Sequence, residues 1–184
     1  MRKTLWVAAA VVVVGVLGSA TFALAHGGGK SIKGDQLNGY AETPTLSTDS
    51  TGSFKAKIDD KGQKIDYTLS YSGLEGDVQQ AHIHIGRPAI AGGIMAWLCQ
   101  TAARPSPTPG TPTCPQSGTV TGTLTPASVL AVPAQDVAAG NWQEFVDAIR
   151  NQAAYANVHT SKFPAGEIRA QLRTGGHEDF QHHH

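Results

Sequence analysis

The chain has 184 residues, 14 basic against 14 acidic, with 40% hydrophobic and only 7% aromatic residues. A charge balance of this kind argues against nucleic acid or an anionic membrane surface as a partner. No block of like charge forms an electrostatic tail, and no repeat of fixed period is present.

The first 25 residues stand apart from the rest. Arg2 and Lys3 form a short basic region, Leu5 to Leu17 is almost unbroken apolar sequence, and Ala23-Leu24-Ala25 has the small-residue pattern of a cleavage site. This reads as a signal peptide whose removal leaves His26 as the N-terminus, and it directs the chain to a secreted, periplasmic or other extracytoplasmic location. The alternative is an uncleaved membrane anchor, because the apolar stretch approaches the ~20 residues that span a bilayer. Cleavage leaves 12 basic residues against 14 acidic ones, in a chain long enough for one domain with its own core.

Residues 26–34, with Gly27-Gly28-Gly29, read as a flexible lead-in. From there the signals are mostly strand. Phe54, Ala56 and Ile58 alternate with Lys55, Lys57 and Asp59. After a turn at Asp60-Lys61-Gly62, Ile65, Tyr67, Leu69 and Tyr71 alternate with Asp66, Thr68 and Ser70. This is a β-hairpin with one buried and one wet face. Further strands are expected over Val78–Ile85, Ile94–Leu98, Gly118–Leu124, Tyr155–Thr160 and from Ile168 to Leu172. One helix is expected over about 142–151, because Trp142, Phe145, Val146 and Ile149 fall on one apolar stripe behind an Asn141 cap. The pattern predicts a mostly β fold: a Greek-key-like antiparallel β-sandwich or barrel with a single short cross-connecting helix. Residues 174–184, ending in His182-His183-His184, read as a disordered tail.

Cys99 and Cys114 are the only cysteines, and in an exported chain an even pair is expected to be bridged. Residues 100–113 between them carry four prolines, which exclude a ladder or a helix there. The bridge is expected to staple a surface loop. Neither cysteine sits in a C-x-x-C redox motif.

Ala81-His82-Ile83-His84-Ile85 and Asn157-Val158-His159-Thr160 carry the chemistry. On a strand His82 and His84 share one face, roughly 6.5–7 Å apart at Cα, so their imidazoles can converge on one ion. His159 from a neighbouring strand would supply a third ligand and leave a position open. Imidazole suits copper and zinc alike. The competing reading makes all three structural, hydrogen-bonded to backbone carbonyls, Asn157 or Thr160. His26, as a free N-terminus with both amine and imidazole, is a further candidate ligand. Glu167 and Arg169 are expected to form a structural ion pair on one strand face.

These histidine segments, together with Leu37-Asn38-Gly39-Tyr40-Ala41-Glu42-Thr43-Pro44, Gly122-Thr123-Leu124-Thr125 and Pro164-Ala165-Gly166-Glu167-Ile168-Arg169-Ala170-Gln171-Leu172, resemble the signature of the CHRD domain. The resemblance covers about residues 35–172, within a domain expected over 35–173. This chain departs from the pattern in the proline-rich insertion and in Ala170, where the family has glycine. Membership implies a secreted module, found singly in bacterial proteins and in chordin within growth-factor antagonists. The H-x-H strand with a later V-H is also similar to the copper ligands of copper/zinc superoxide dismutases, with Arg87 and Arg169 as cations able to guide an anion.

Three functions are therefore expected in order. The first is a secreted CHRD module binding Cu or Zn through His82, His84 and His159. The second is a metal-free module binding an extracellular protein or envelope component. The third is a copper-dependent, dismutase-like activity. No nucleophile triad, paired-carboxylate site or phosphate loop accompanies them.

Overall fold

A computed structural model describes residues 30–175. The leader over 1–25, His26 and the histidine-rich end of the tail lie outside the described residues.

Among the described residues nine strands and one α-helix follow in order: β1 (Lys30–Asn38), β2 (Thr51–Asp59), β3 (Lys64–Ser72), β4 (Val78–Ile85), β5 (Ile94–Cys99), β6 (Gly118–Leu124), α1 (Trp142–Arg150), β7 (Ala154–Thr160), β8 (Ile168–Gln171) and β9 (Arg173–Thr174). They form one antiparallel sheet in the order β5-β4-β7-β8-β1-β2-β3-β6, with β9 added beside β1. The sheet curls until β5 approaches β6, so the expected mostly β fold takes the form of a nearly closed barrel. Around that seam β4, β5 and β6 run consecutively while β3 returns beside β6, which is Greek-key connectivity.

The alternation read in the hairpin is the alternation observed. Phe54, Ile58, Ile65, Leu69 and Tyr71 point into the barrel, while Lys55, Lys57, Asp66 and Thr68 face outward. Tyr67 also points inward and reaches across the interior to donate its hydroxyl to the Leu98 carbonyl at 2.6 Å, which ties β3 to β5 beside the seam. Gly122 makes this possible, since a Cβ there would stand 2.5 Å from the Tyr67 hydroxyl oxygen.

The helix begins where its cap predicts. The Asn141 side chain accepts from the Glu144 N–H at 3.2 Å, and Trp142, Phe145, Val146 and Ile149 are buried. Arg150 at its last turn pairs with Asp60 in the β2–β3 turn at 2.7 Å, fixing α1 over one end of the barrel. Among the described residues no helix is long and apolar enough to cross a membrane.

Two boundaries differ from expectation. Lys30 to Gly34, expected within a flexible lead-in, are the first half of β1 and pair with β2 from Ile58 to Phe54. Thr174, expected in the tail, pairs with Ile32. Both segments are weakly patterned, and β1 shifts register between Gly34 and Leu37, so alternation fails there while backbone pairing holds.

Cys99 and Cys114 are bridged, and both are buried. The bridge closes a loop of 15 residues' separation. A Cys99→Ser/Cys114→Ser protein is therefore expected to lose about 3 kcal/mol in urea unfolding, the chain-entropy value for a loop of that length.

Candidate metal centre

Strand register assembles the site on the outer face of β4, β7 and β8. His84 lies opposite Tyr155, His82 opposite Asn157, and Gln80 opposite His159. His159 is thus diagonal to His82, a separation that long side chains bridge. Two register shifts in the β4–β5 ladder, typical of bulges that redirect side chains beside sites, set Trp97 against His82. The rings meet edge to face with centroids 4.3 Å apart.

Unlike the hairpin, β4 and β7 are covered on both faces. His82, His84 and His159 are 0%, 6% and 5% exposed, values low enough that their polar atoms must be satisfied from within the protein or by a ligand. His84 Nδ1 donates to the Gly92 carbonyl at 2.9 Å, and His159 Nδ1 donates to the Pro164 carbonyl at 3.0 Å. Since carbonyls only accept, both rings carry their proton on Nδ1 and present a bare Nε2. His82 Nδ1 stands 3.0 Å from His159 Nε2 and donates to it. The Nε2 atoms of His82 and His84 are buried without a partner.

Burial is the main force on these rings. It pushes His82 down to about 2, helped by the neighbouring His159 and His84. Burial likewise holds His84 at about 4 against the opposing Gly92 carbonyl, and His159 at about 4 with help from His84. All three are neutral at pH 7, the state in which imidazole binds a metal.

The donor set fits an ion, with some contraction required. The ligand nitrogens lie within 4.8 Å of one another, whereas ligands at zinc distances stand about 3–4 Å apart. His82 Nδ1 and His159 Nε2, 3.0 Å apart, share a hydrogen bond, so an ion held by both rings would displace that contact. The carbonyls of Gly92 and Pro164 fix the ring orientations of His84 and His159, as outer partners do for imidazoles in metal sites. Among the described residues this is the one group of His, Cys, Asp and Glu placed to hold a metal.

A second buried cluster adjoins it. Glu42 follows the 3-10 turn Gly39–Ala41 and is 7% exposed, with Oε1 unpartnered. Burial raises its carboxyl to about 7, opposed by Arg169, by the Thr43 backbone and by the nearby Asn157 amide. Asn157 also acts on His84, so it stands between the carboxyl and the histidines. Gly166, at φ +131°, leaves the space this contact occupies: a Cβ there would lie 2.5 Å from Glu42 Oε1 and 2.6 Å from Asn157 Nδ2. The sequence reading passed over Glu42, although it stands in the leading motif. A buried acid is visible only once the loop that carries it is placed.

The expected ion pair between Glu167 and Arg169 does not form. Glu167 accepts from Ser50 Oγ at 2.5 Å, the Glu75 N–H at 2.7 Å and Thr160 Oγ1 at 2.7 Å. Arg169 donates to the carbonyls of Ile90 and Arg87 at 3.0 and 2.9 Å, and its guanidinium lies 3.4 Å from the centre of the Tyr155 ring. Glu167 precedes the first paired residue of β8, directly after Gly166 with its positive φ, so strand alternation does not govern where its side chain points. Arg169 is engaged by carbonyls and an aromatic face and is not a free guiding cation.

A depression of about 630 Å³ lies elsewhere, over the outward residues Lys33, Lys55, Lys57 and Thr121. It is a wet sheet face. None of the buried unpartnered polar atoms borders it, and the histidine site is where they gather.

An antiparallel barrel with this histidine face and the closing Gly166-Glu167 turn defines a class of domain. The CHRD domain family model matches residues 35–172, and the chain belongs to that family. No curated protein and no solved structure matches it.

Proposed function

We propose that this CHRD domain is an exported metal-binding module in which His82, His84 and His159 hold one copper or zinc ion. The observation that carries the reading is the burial of three neutral imidazoles together, two of them with an Nε2 that has no protein partner. Leaving such atoms unpaired costs about 1–3 kcal/mol each, and an ion would use them. The disulfide and the apolar leader with its A-x-A site support an extracytoplasmic location. Both Cu and Zn suit an all-imidazole set.

Protein purified without added metal is titrated with Cu(II) and Zn(II) beside a His82→Ala/His84→Ala variant. The variant reports binding by the other histidines, at 26, 177 and 182–184. One additional tight equivalent is expected in the wild type. Loss of both ligands is expected to weaken it beyond the about 10–100-fold that removal of a single outer partner costs. Equal stoichiometry and affinity in the two proteins would refute the reading.

A metal-free interaction module is the second reading, and one observation favours it. Tyr40, in the Gly39–Ala41 turn, and Ile90, in the loop between β4 and β5, are the exposed large hydrophobics among the described residues, at 67% and 54%. The dismutase-like reading has less support, because Arg169 is engaged and no second His/Asp cluster occurs among the described residues.

A further inference from the structure

The proline-rich loop closed by Cys99 and Cys114 is organised around one residue. Gln100 donates its N–H to the Pro112 carbonyl at 2.9 Å and accepts from the Cys114 N–H at 2.8 Å. Its side chain donates to the Thr111 carbonyl at 2.7 Å and accepts from the Ser106 N–H at 2.8 Å. Thr101 then fastens the loop to β4, donating Oγ1 to the Gln79 carbonyl at 2.9 Å. Arg104 follows in a tight turn whose backbone bonds back to Thr101 in both directions. A loop held this way presents its side chains from a fixed base, although prolines deny it a ladder.

What Arg104 faces is a cleft of about 230 Å³ that reaches the histidine trio at His159. Gln79, Gln80 and Ser161 supply its other polar walls, and Arg104 carries the only formal charge among the described residues lining it. The guanidinium has no carboxylate partner among the described residues, in contrast to the cations paired at Lys64, Arg150 and Lys162. The space admits several waters or an anion of a few heavy atoms.

We infer that the disulfide-closed loop holds Arg104 over a small-anion subsite beside His159, so that the metal centre takes a small inorganic anion or a carboxylate as its exogenous ligand. This rests on the metal reading above. A cation at the mouth of a cleft draws anions from solution and holds them by charge-assisted hydrogen bonds. The amide of Gln80 adds a neutral donor without opposing charge. A three-histidine site leaves a position for such a ligand. Arg87 and Arg169 were the cations the sequence put forward. The cleft instead names a residue from the insertion that sets this chain apart from its family pattern.

The test uses the full chain loaded with one equivalent of Cu(II) and titrated with azide, followed by the azide-to-copper charge-transfer absorption. Wild type, Arg104→Ala and Arg104→Lys are compared, with His82→Ala/His84→Ala as the blank for copper held elsewhere. Copper affinity is expected to be equal in wild type and Arg104→Ala. Azide affinity is expected to fall about two- to fivefold in Arg104→Ala, the range for one exposed charge contact, and less in Arg104→Lys. The difference should shrink as ionic strength rises. Azide that binds wild type and Arg104→Ala equally, or not at all, overturns this inference and leaves the metal site standing. Copper binding no better in wild type than in the blank removes the metal reading and this inference with it.

Discussion

Replacing Glu167 with alanine is expected to destabilise the fold by about 3–5 kcal/mol, the scale for removing one member of a fully buried polar network. The carboxyl is 0% exposed and joins four separate stretches of chain at one end of the barrel. It takes Ser50 ahead of β2, the Glu75 N–H in the β3–β4 loop, and Thr160 at the end of β7, while itself leading into β8. Alanine would strand these donors where water does not reach. The Ser50 hydroxyl has the Gly73 carbonyl at 2.9 Å as an alternative acceptor, so the largest loss falls on the Glu75 N–H and Thr160. Glu167→Gln keeps the shape and one acceptor oxygen, and is expected to lose roughly half as much. Urea unfolding of the three proteins measures this. A Glu167→Ala midpoint equal to wild type would mean the network contributes nothing net.

That residue also shows where sequence reading reaches its limit. Glu167 sits two positions from Arg169, and alternation on an uninterrupted strand puts both on one face. The strand begins one residue later, after a glycine whose φ of +131° turns the chain, and the pair separates. Elsewhere local signals were sufficient. The limits of β4 and β6 were legible from alternation between turn residues, and α1 from its cap and stripe. His82 and His84 shared a face for the same reason.

The rest of the site depends on register and coverage, which no local pattern encodes. His159 meets His82 because Gln80, and not His82, lies opposite it, a shift that chain composition does not specify. The burial of both faces of β4 comes from the segments carrying Gly92 and Pro164, which read as plain loops. Glu42 reaches the cluster from the far end of the domain sequence through Asn157. The polar outer face of one half of the barrel is thereby made an interior. The other half, with Lys33, Lys55 and Lys57, stays wet as the alternation predicts.

Acidification is expected to unfold the metal-free protein well before its carboxylates alone would require, because three imidazoles are buried neutral. In the unfolded chain each histidine takes a proton near 6.5, whereas in the fold His84 and His159 do so at about 4 and His82 at about 2. As pH falls from 6.5 the unfolded state binds protons that the folded state refuses, so stability falls with pH, by several kcal/mol in total. Glu42 acts in the opposite sense. Its carboxyl holds a proton up to about 7 in the fold and only to 4.5 when unfolded, so its contribution improves as pH falls between those values. Between pH 6.5 and 4.5 three histidines lower the stability while Glu42 offsets one of them; below about 4 His84 and His159 are protonated in the fold as well, and His82 alone carries the decline. A steep decline from about pH 6.5 to 4 followed by a shallower one is expected in urea midpoints measured from pH 7 to 3. Glu42→Gln should raise stability at pH 8 and steepen the fall above pH 4.5, while His82→Ala/His84→Ala should flatten the profile. An ion binds only the neutral imidazoles, so Cu(II) or Zn(II) should raise the midpoint at pH 7 and lose that effect only as the folded-state rings themselves take protons near pH 4. A midpoint independent of pH across this range would show that the three rings are not held neutral by burial.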